Sequence, residues 1–307
     1  MKILITGATG LIGSRLLERL VADGHDVLGL ARYGSKRTQP PPLCGFGDVT
    51  EPQSLAFIQD FKPDIVCHLA AVASNTYANA HPLETMRINA LGTANVVEAC
   101  KLLEDPPTFL LASSSEVYAP SKEPLREDSE RRAINPYAAS KIAAEEYVRS
   151  SGLPFVILRP FNTYGRALVG SPVAVIDKAI VSALTKGTIE LWDPNPQRDF
   201  LFREDHVSAY LSIIRAEEER EGVASNAFNF GTGETTTIGE TLDLIARLTG
   251  ATLKKVEGRG GGDHGVLRAD NSIAHAILGW VPQWTLETGL KAAVQEWRSV
   301  LKEAVRV

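Results

Sequence analysis

The chain has 307 residues, 44% of them apolar and 22% charged, which fits a globular protein with a large core and excludes disordered, collagen-like and coiled-coil classes. A net charge of −5, from 37 acidic and 32 basic residues with no long basic run, argues against a nucleic-acid partner held by phosphate neutralisation. No segment approaches the ~18 uninterrupted apolar residues of a membrane span and no secretory leader pattern opens the chain, so no membrane partner and a cytoplasmic location are expected.

Short apolar runs at 2–6, 26–30, 64–70, 108–112 and 154–158 read as buried strands, and residues 11–23, 52–61, 82–104 and 137–151 between them carry apolar side chains at helical spacing. Strands and helices alternating in this way build βαβ units. The expected fold class is therefore α/β, a Rossmann-type doubly wound parallel sheet over residues 1–160, with ligands bound outside the carboxyl ends of its strands.

After residue 160 the rhythm breaks into a loop at 161–172, an apolar helix at 173–185 and a Pro-rich turn at 193–199. This pattern suits a smaller α/β domain over 161–307, mainly substrate-binding, with a segment around 203–232 returning to the first domain. Residues 228–240 read as strand, turn and helix start, with Thr237 and Glu240 in capping-box spacing. The charged run 216–222 reads as a solvated helix end, and no internal repeat or low-complexity tract is present. The three cysteines, Cys44, Cys67 and Cys100, have neither C-x-x-C spacing nor paired histidines nearby. They read as core thiols, and no metal is expected.

The sequence ITGATGLIG, residues 5–13, follows the first strand and opens the first helix. Gly7, Gly10 and Gly13 allow a tight turn, close approach of backbone to a pyrophosphate and close helix packing, while Leu11 and Ile12 lead into a helix N-terminus with free N–H groups. The spacing is G-x-x-G-x-x-G. In this it resembles the extended short-chain dehydrogenase/reductase family that modifies nucleotide sugars. Nearly the whole chain shares the resemblance, through GDVT at 47–50, HLAA at 68–71, INALGT at 88–93, SSSEVY at 113–118, YAASK at 137–141, RPFNTYG at 159–165, RDF at 198–200 and LGW at 278–280.

The resemblance implies an NAD(P)-dependent enzyme. Asp48 and Val49 would flank the adenine, Leu69, Ala70 and Ala71 would line the cofactor path, and Asn89 would lie near the nicotinamide ribose. An acidic residue at the end of the second strand holds the adenosine ribose of NAD, whereas an arginine accommodates the extra phosphate of NADP. Ala31 and Arg32 stand at that place, with Lys36 and Arg37 close behind, so NADP is favoured over NAD.

Tyr137 and Lys141, four residues apart on an expected helix, lie on one face. A tyrosine ionises near pH 10. A neighbouring ammonium together with a positive nicotinamide ring favours the phenolate, which makes Tyr137 a general base. Alignment with the family places the assisting hydroxyl on Ser114 and gives Lys141 the cofactor ribose. Ser115 and Glu116 fall where sugar dehydratases hold an acid and a base, so Glu116 is catalytic in a dehydratase and a polar loop residue otherwise.

Asn162 resembles the asparagine that binds the sugar diphosphate, and Arg198 the arginine that meets a phosphate. The family's Arg-x-Gly-Asp segment is matched by RGGGD at 259–263 with one residue too many, which leaves Arg259 or Arg268 for that task. The expected reaction is 4-epimerisation of a nucleotide-diphosphate sugar. Reduction of a 4-keto sugar and 4,6-dehydration are the alternatives, and a non-catalytic NAD(P)-sensing protein is a remote one. The resemblance also implies a homodimer through helices 82–104 and 137–151, supported by the small and apolar residues Ala138, Ala139, Ile142 and Ala143.

Overall fold

The computed structural model describes residues 1–32, 44–166, 174–219, 222–257 and 265–304. Its main sheet contains β1 (Lys2–Thr6), β2 (Asp26–Ala31), β3 (Cys44–Phe46), β4 (Ile65–His68), β5 (Thr108–Ala112), β6 (Phe155–Pro160) and the strand Asn226–Phe230. In space the order is Asn226–Phe230, β6, β5, β4, β1, β2, β3, and every pairing is parallel.

Helices cover both faces, which is why the central strands are apolar runs and not alternating ones. The side chains still divide with a period of two. Ile3 and Ile5 of β1 pack with Leu16 and Leu20 of α1 (Gly13–Ala22) and with Tyr210 and Ile213 of the helix Arg203–Glu218. Leu4 packs on the opposite face with Val96 and Val97 of α5 (Gly92–Lys101) and with Ala144 and Val148 of α6 (Pro136–Ser150). The strand order reverses between β1 and β4. The crevice outside their carboxyl ends is the switch point where doubly wound sheets bind ligands.

Three further helices precede α5: α2 (Phe57–Phe61), α3 (Asn75–Ala80) and α4 (Pro82–Met86). The helix expected over 82–104 is interrupted by a π-helical turn, Arg87–Leu91, between α4 and α5. One extra residue per turn there rotates Asn89 into the core, where it is 1% exposed.

Beyond the sheet, the helices Val175–Lys186, Ile238–Thr249 and Leu286–Ala304 enclose a second core of Ile180, Ile245, Leu290 and Trp297. Thr237 and Glu240 form the capping box that opens the second of these helices. Very short strands tie this layer to the crevice: Asn162–Tyr164 pairs with Phe200–Phe202, and Gln197–Arg198 pairs with Val266–Leu267 and Thr236–Thr237. Two or three residues carry no readable period, so these strands lie outside the expected elements, as do α3 and the helices Ser272–Leu278 and Leu286–Ala304. Cys67 and Cys100 are buried and Cys44 half-buried, and none of the three is in a disulfide. Among the described residues, no helix is long and apolar enough to cross a membrane.

Candidate active site

The glycine loop closes through Gly7 N–H to the Leu30 carbonyl at 3.1 Å and Gly10 N–H to the Gly7 carbonyl at 2.9 Å. Gly7 has φ +72°, and a Cβ there would lie 2.8 Å from the Ala70 nitrogen. The loop can therefore nest against the backbone after β4. No side chain caps α1 and its first turn holds no acid; Ser14 N–H is taken by the Gly10 carbonyl at 3.2 Å, and no side chain competes with an external anion for the helix N-terminus. Gly10 is exposed at the crevice, Leu11 half-buried and Ile12 buried, while Leu69, Ala70 and Ala71 line the other wall half-buried. These features fit a dinucleotide pyrophosphate. Among the described residues, no cluster of His, Cys, Asp and Glu could hold a metal ion.

Arg32 is exposed just past β2, and its charge reaches the Tyr77 phenol. Lys36 and Arg37 lie outside the described residues. Asp48 is half-buried and its carboxylate accepts from the Thr50 N–H and hydroxyl, both at 2.8 Å; Val49 is buried against α5. The Asn89 amide is fully engaged, accepting from Val72 N–H at 2.7 Å and donating to the Val72 carbonyl at 3.0 Å and to Ser140 Oγ at 2.9 Å. Its side chain thus joins the loop after β4 to the helix that carries Tyr137.

A buried histidine sits beneath the crevice. Burial, helped by the charge of Lys141, lowers the pKa of His68 to about 3, so the ring is neutral. Thr93 spends its hydroxyl proton on the Asn89 carbonyl at 2.6 Å and therefore accepts from His68 Nε2 at 3.1 Å. His68 Nδ1 is then the acceptor for Thr6, whose oxygen also receives the Ala70 N–H at 3.2 Å.

The helix α6 starts at Asn135, whose side chain accepts from Ala138 N–H at 2.7 Å, with Pro136 in the first turn. Both choices favour a helix start. They place Tyr137 and Lys141 in successive turns facing the end of β5. The Tyr137 phenol lies near Ser114, and Lys141 donates to the Ala112 carbonyl at 2.7 Å, its Nζ 6.0 Å from the Tyr137 ring centroid. Burial pushes Tyr137 up to about 12, with Ser114 opposing and the Glu116 charge adding to the rise. Lys141 is pulled down to about 8 by burial, with Glu145 opposing. The protein alone therefore keeps Tyr137 protonated at neutral pH, and the positive ring of an oxidised nicotinamide is the further charge its ionisation needs.

Ser115 is buried, and Glu116 is half-buried with a carboxylate oxygen 3.4 Å from Asn135 Nδ2. Asn135 is a site neighbour that residue chemistry alone did not flag. The signal was present, since Asn-Pro ahead of Tyr137 is a helix-start pair. Burial lowers the Arg198 pKa and the Glu116 charge opposes it, so the carboxylate is close enough for its charge to act on the guanidinium. Arg198 also donates to the Gln197 and Gly265 carbonyls at 2.7 and 3.3 Å. Asn162 Oδ1 and Arg268 Nε are buried without a hydrogen-bond partner among the described residues. Arg259 lies outside the described residues.

A dinucleotide crevice at the switch point, with a tyrosine–lysine pair at the end of the neighbouring strand, defines a nicotinamide-dependent enzyme of the short-chain dehydrogenase/reductase class. The chain belongs to the NAD dependent epimerase/dehydratase family, whose model matches residues 3–231. It is similar to a UDP-glucose 4-epimerase of Mycolicibacterium smegmatis, at 31% identity over 97% of this chain and 99% of that one. A GDP-6-deoxy-D-mannose reductase of Pseudomonas aeruginosa is 29% identical over 98% and 99% of the two chains. The structure of RMD from Pseudomonas aeruginosa complexed with NADPH superposes with a TM-score of 0.83 at 30% identity, covering 97% of this chain and 99% of that one. The protein is thus an NAD(P)-dependent nucleotide-sugar epimerase, dehydratase or reductase of the extended type.

Proposed function

We propose that the protein is a nucleotide-diphosphate-sugar 4-epimerase acting by transient oxidation at C4. The observation that carries this reading is the buried Tyr137 phenol set against Ser114 at the end of β5, with Lys141 one turn away on the same helix and donating to the Ala112 carbonyl. The similarity to a UDP-glucose 4-epimerase over nearly all of both chains supports it. When bound, the nicotinamide accepts a hydride from the sugar carbon and returns it.

The protein's own residues handle the proton and the position. Tyr137 takes the proton of the C4 hydroxyl while Ser114 holds that oxygen, and the Lys141 ammonium stabilises the phenolate. Asn162, Arg198 and either Arg268 or Arg259 hold the diphosphate from the 161–307 side, so that the 4-keto sugar can turn over and present its other face. Tyr137 then returns the proton to the C4 oxygen.

Incubation with UDP-glucose or UDP-galactose in deuterated water, without added coenzyme, tests the reading. Interconversion with no deuterium at C5 is expected. Strict dependence on added NADPH would move the assignment to reduction of a 4-keto sugar, which the reductase relative supports. Deuterium at C5 would move it to 4,6-dehydration, with Glu116 as the base that removes that proton.

The coenzyme is proposed to be NADP, met at its extra phosphate by Arg32. Arg32→Ala should weaken NADP far more than NAD in calorimetric titrations, and an equal loss for both contradicts the assignment.

A homodimer is proposed through α4–α5 and α6. Leu83 and Leu91 are 84% and 52% exposed on this surface, and Met86 and Tyr147 extend it. Ala138, expected to contribute, is instead buried within the protomer because it packs inward one residue after Tyr137. Light scattering at micromolar concentration should give twice the chain mass, and Leu83→Glu with Leu91→Glu should give one.

A further inference from the structure

Three consecutive residues at the end of β5 each meet one residue of α6, two of them through hydrogen bonds, and the residues met are spaced four apart. Ser114 lies against the Tyr137 phenol, the Ala112 carbonyl accepts from Lys141 at 2.7 Å, and Ser113 Oγ donates to Glu145 Oε1 at 2.5 Å. Four-residue spacing puts Tyr137, Lys141 and Glu145 on one helix face in successive turns.

Glu145 is 0% exposed, an unusual place for a carboxylate. Its two oxygens are forked onto Arg159 of β6, with Nε to Oε1 at 2.9 Å and Nη2 to Oε2 at 2.6 Å, and Arg131 adds a contact to Oε2 at 3.0 Å. Arg159 is itself buried and donates to the Tyr118 hydroxyl and the Glu127 carbonyl, both at 2.8 Å. If the site only needed filling, a buried ion pair would gain little over well-packed apolar side chains. An apolar contact tolerates sliding and rotation. A carboxylate locked in a planar fork and a serine bond admits one register.

We infer that Glu145 is a positioning residue of the active site: clamped between Ser113 and Arg159, it fixes the register of α6 on β5 and so holds Tyr137 at Ser114 and Lys141 at the Ala112 carbonyl. The inference rests on Tyr137 and Lys141 carrying the chemistry. It extends the tyrosine–lysine spacing by one more turn, to a residue that touches neither substrate nor cofactor.

The clamp also acts through charge. Lys141 is faced by Tyr137 and Glu145 from its own helix, by His68 from β4 and by the Ala112 carbonyl from β5. Glu145 is the carboxylate among them and opposes the loss of the Lys141 proton. Burial pushes Glu145 itself up, but Arg159, Ser113 and Arg131 outweigh it and keep the carboxyl below its ordinary range. Arg149 of the same helix also approaches it, at 4.0 Å.

Two variants test the clamp. Ser113→Ala cuts one contact and leaves the ion pair, whereas Glu145→Leu with Arg159→Met removes both buried charges together. Each is assayed for UDP-glucose/UDP-galactose interconversion. Each is also titrated with saturating NADP, and separately with saturating NAD, for the tyrosinate absorbance of Tyr137, taken as the difference from the same protein carrying Tyr137→Phe. In the double variant kcat should fall ~10²-fold, the scale of a misplaced reacting group, with KM unchanged. The midpoint of Tyr137 ionisation should rise, and Ser113→Ala should change both quantities in the same directions by less. Folded variants with the kcat and tyrosinate midpoint of the unaltered protein overturn the inference. Should the sugars not turn over, the midpoint alone decides. Normal turnover by Tyr137→Phe would instead overturn the reading of the site.

Discussion

Replacing Tyr137 with Phe should lower turnover ~10²- to 10⁴-fold, the usual worth of a positioned general base, while cofactor binding stays nearly unchanged. The substitution keeps the buried ring that packs beneath Lys141 and removes only the hydroxyl beside Ser114. Ser114 keeps its bond from the Glu116 N–H at 3.2 Å, so the loop after β5 loses no structural contact of its own. Thermal melting should be close to that of the unaltered protein, which separates a chemical loss from a folding one. Single-turnover measurement of coenzyme reduction by the sugar is the sharpest check. A Phe variant that still reduces bound coenzyme at the original rate would place the base elsewhere.

Substituting Gly13 with Ala should have its main effect on binding. The added Cβ would sit 2.3 Å from the Gly7 carbonyl oxygen and 2.9 Å from its carbon, contacts that only a backbone shift can relieve. Gly7 is also the acceptor for Gly10 N–H, so the shift runs through the turn that presents the helix N-terminus. Overpacking of this kind costs ~1–3 kcal/mol. That corresponds to about a 10- to 10²-fold loss of NAD or NADP affinity if the strain is relieved only in the free protein. Gly45→Ala is the control, because a Cβ there meets nothing within 4 Å. Calorimetric titration of both variants decides the matter, and equal affinities for the two would show that the loop adapts.

The elements that bind and react were readable where the signal is local. The glycines follow a strand and open a helix within nine residues, Tyr137 and Lys141 stand one turn apart, and Thr237 and Glu240 cap a helix three residues from each other. Each depends on backbone geometry over a few positions. The spacing of Tyr137, Lys141 and Glu145 was equally visible. What Glu145 does was not, because an exposed helix face can carry the same three residues.

The α/β class, the nucleotide loop and the family follow from strand runs, glycine spacing and helical offsets, all of which act at short range along the chain. Long-range packing alone buries Glu145 on Arg159, brings the Glu116 charge within reach of Arg198, and commits the Asn89 amide to Val72 and Ser140. It also decided the proton chemistry: Tyr137 stands near 12 and Lys141 near 8 because both are desolvated. Desolvation and ion pairing depend on what lies within a few ångströms in space, and those neighbours are brought together from far along the chain by the packing of the sheet.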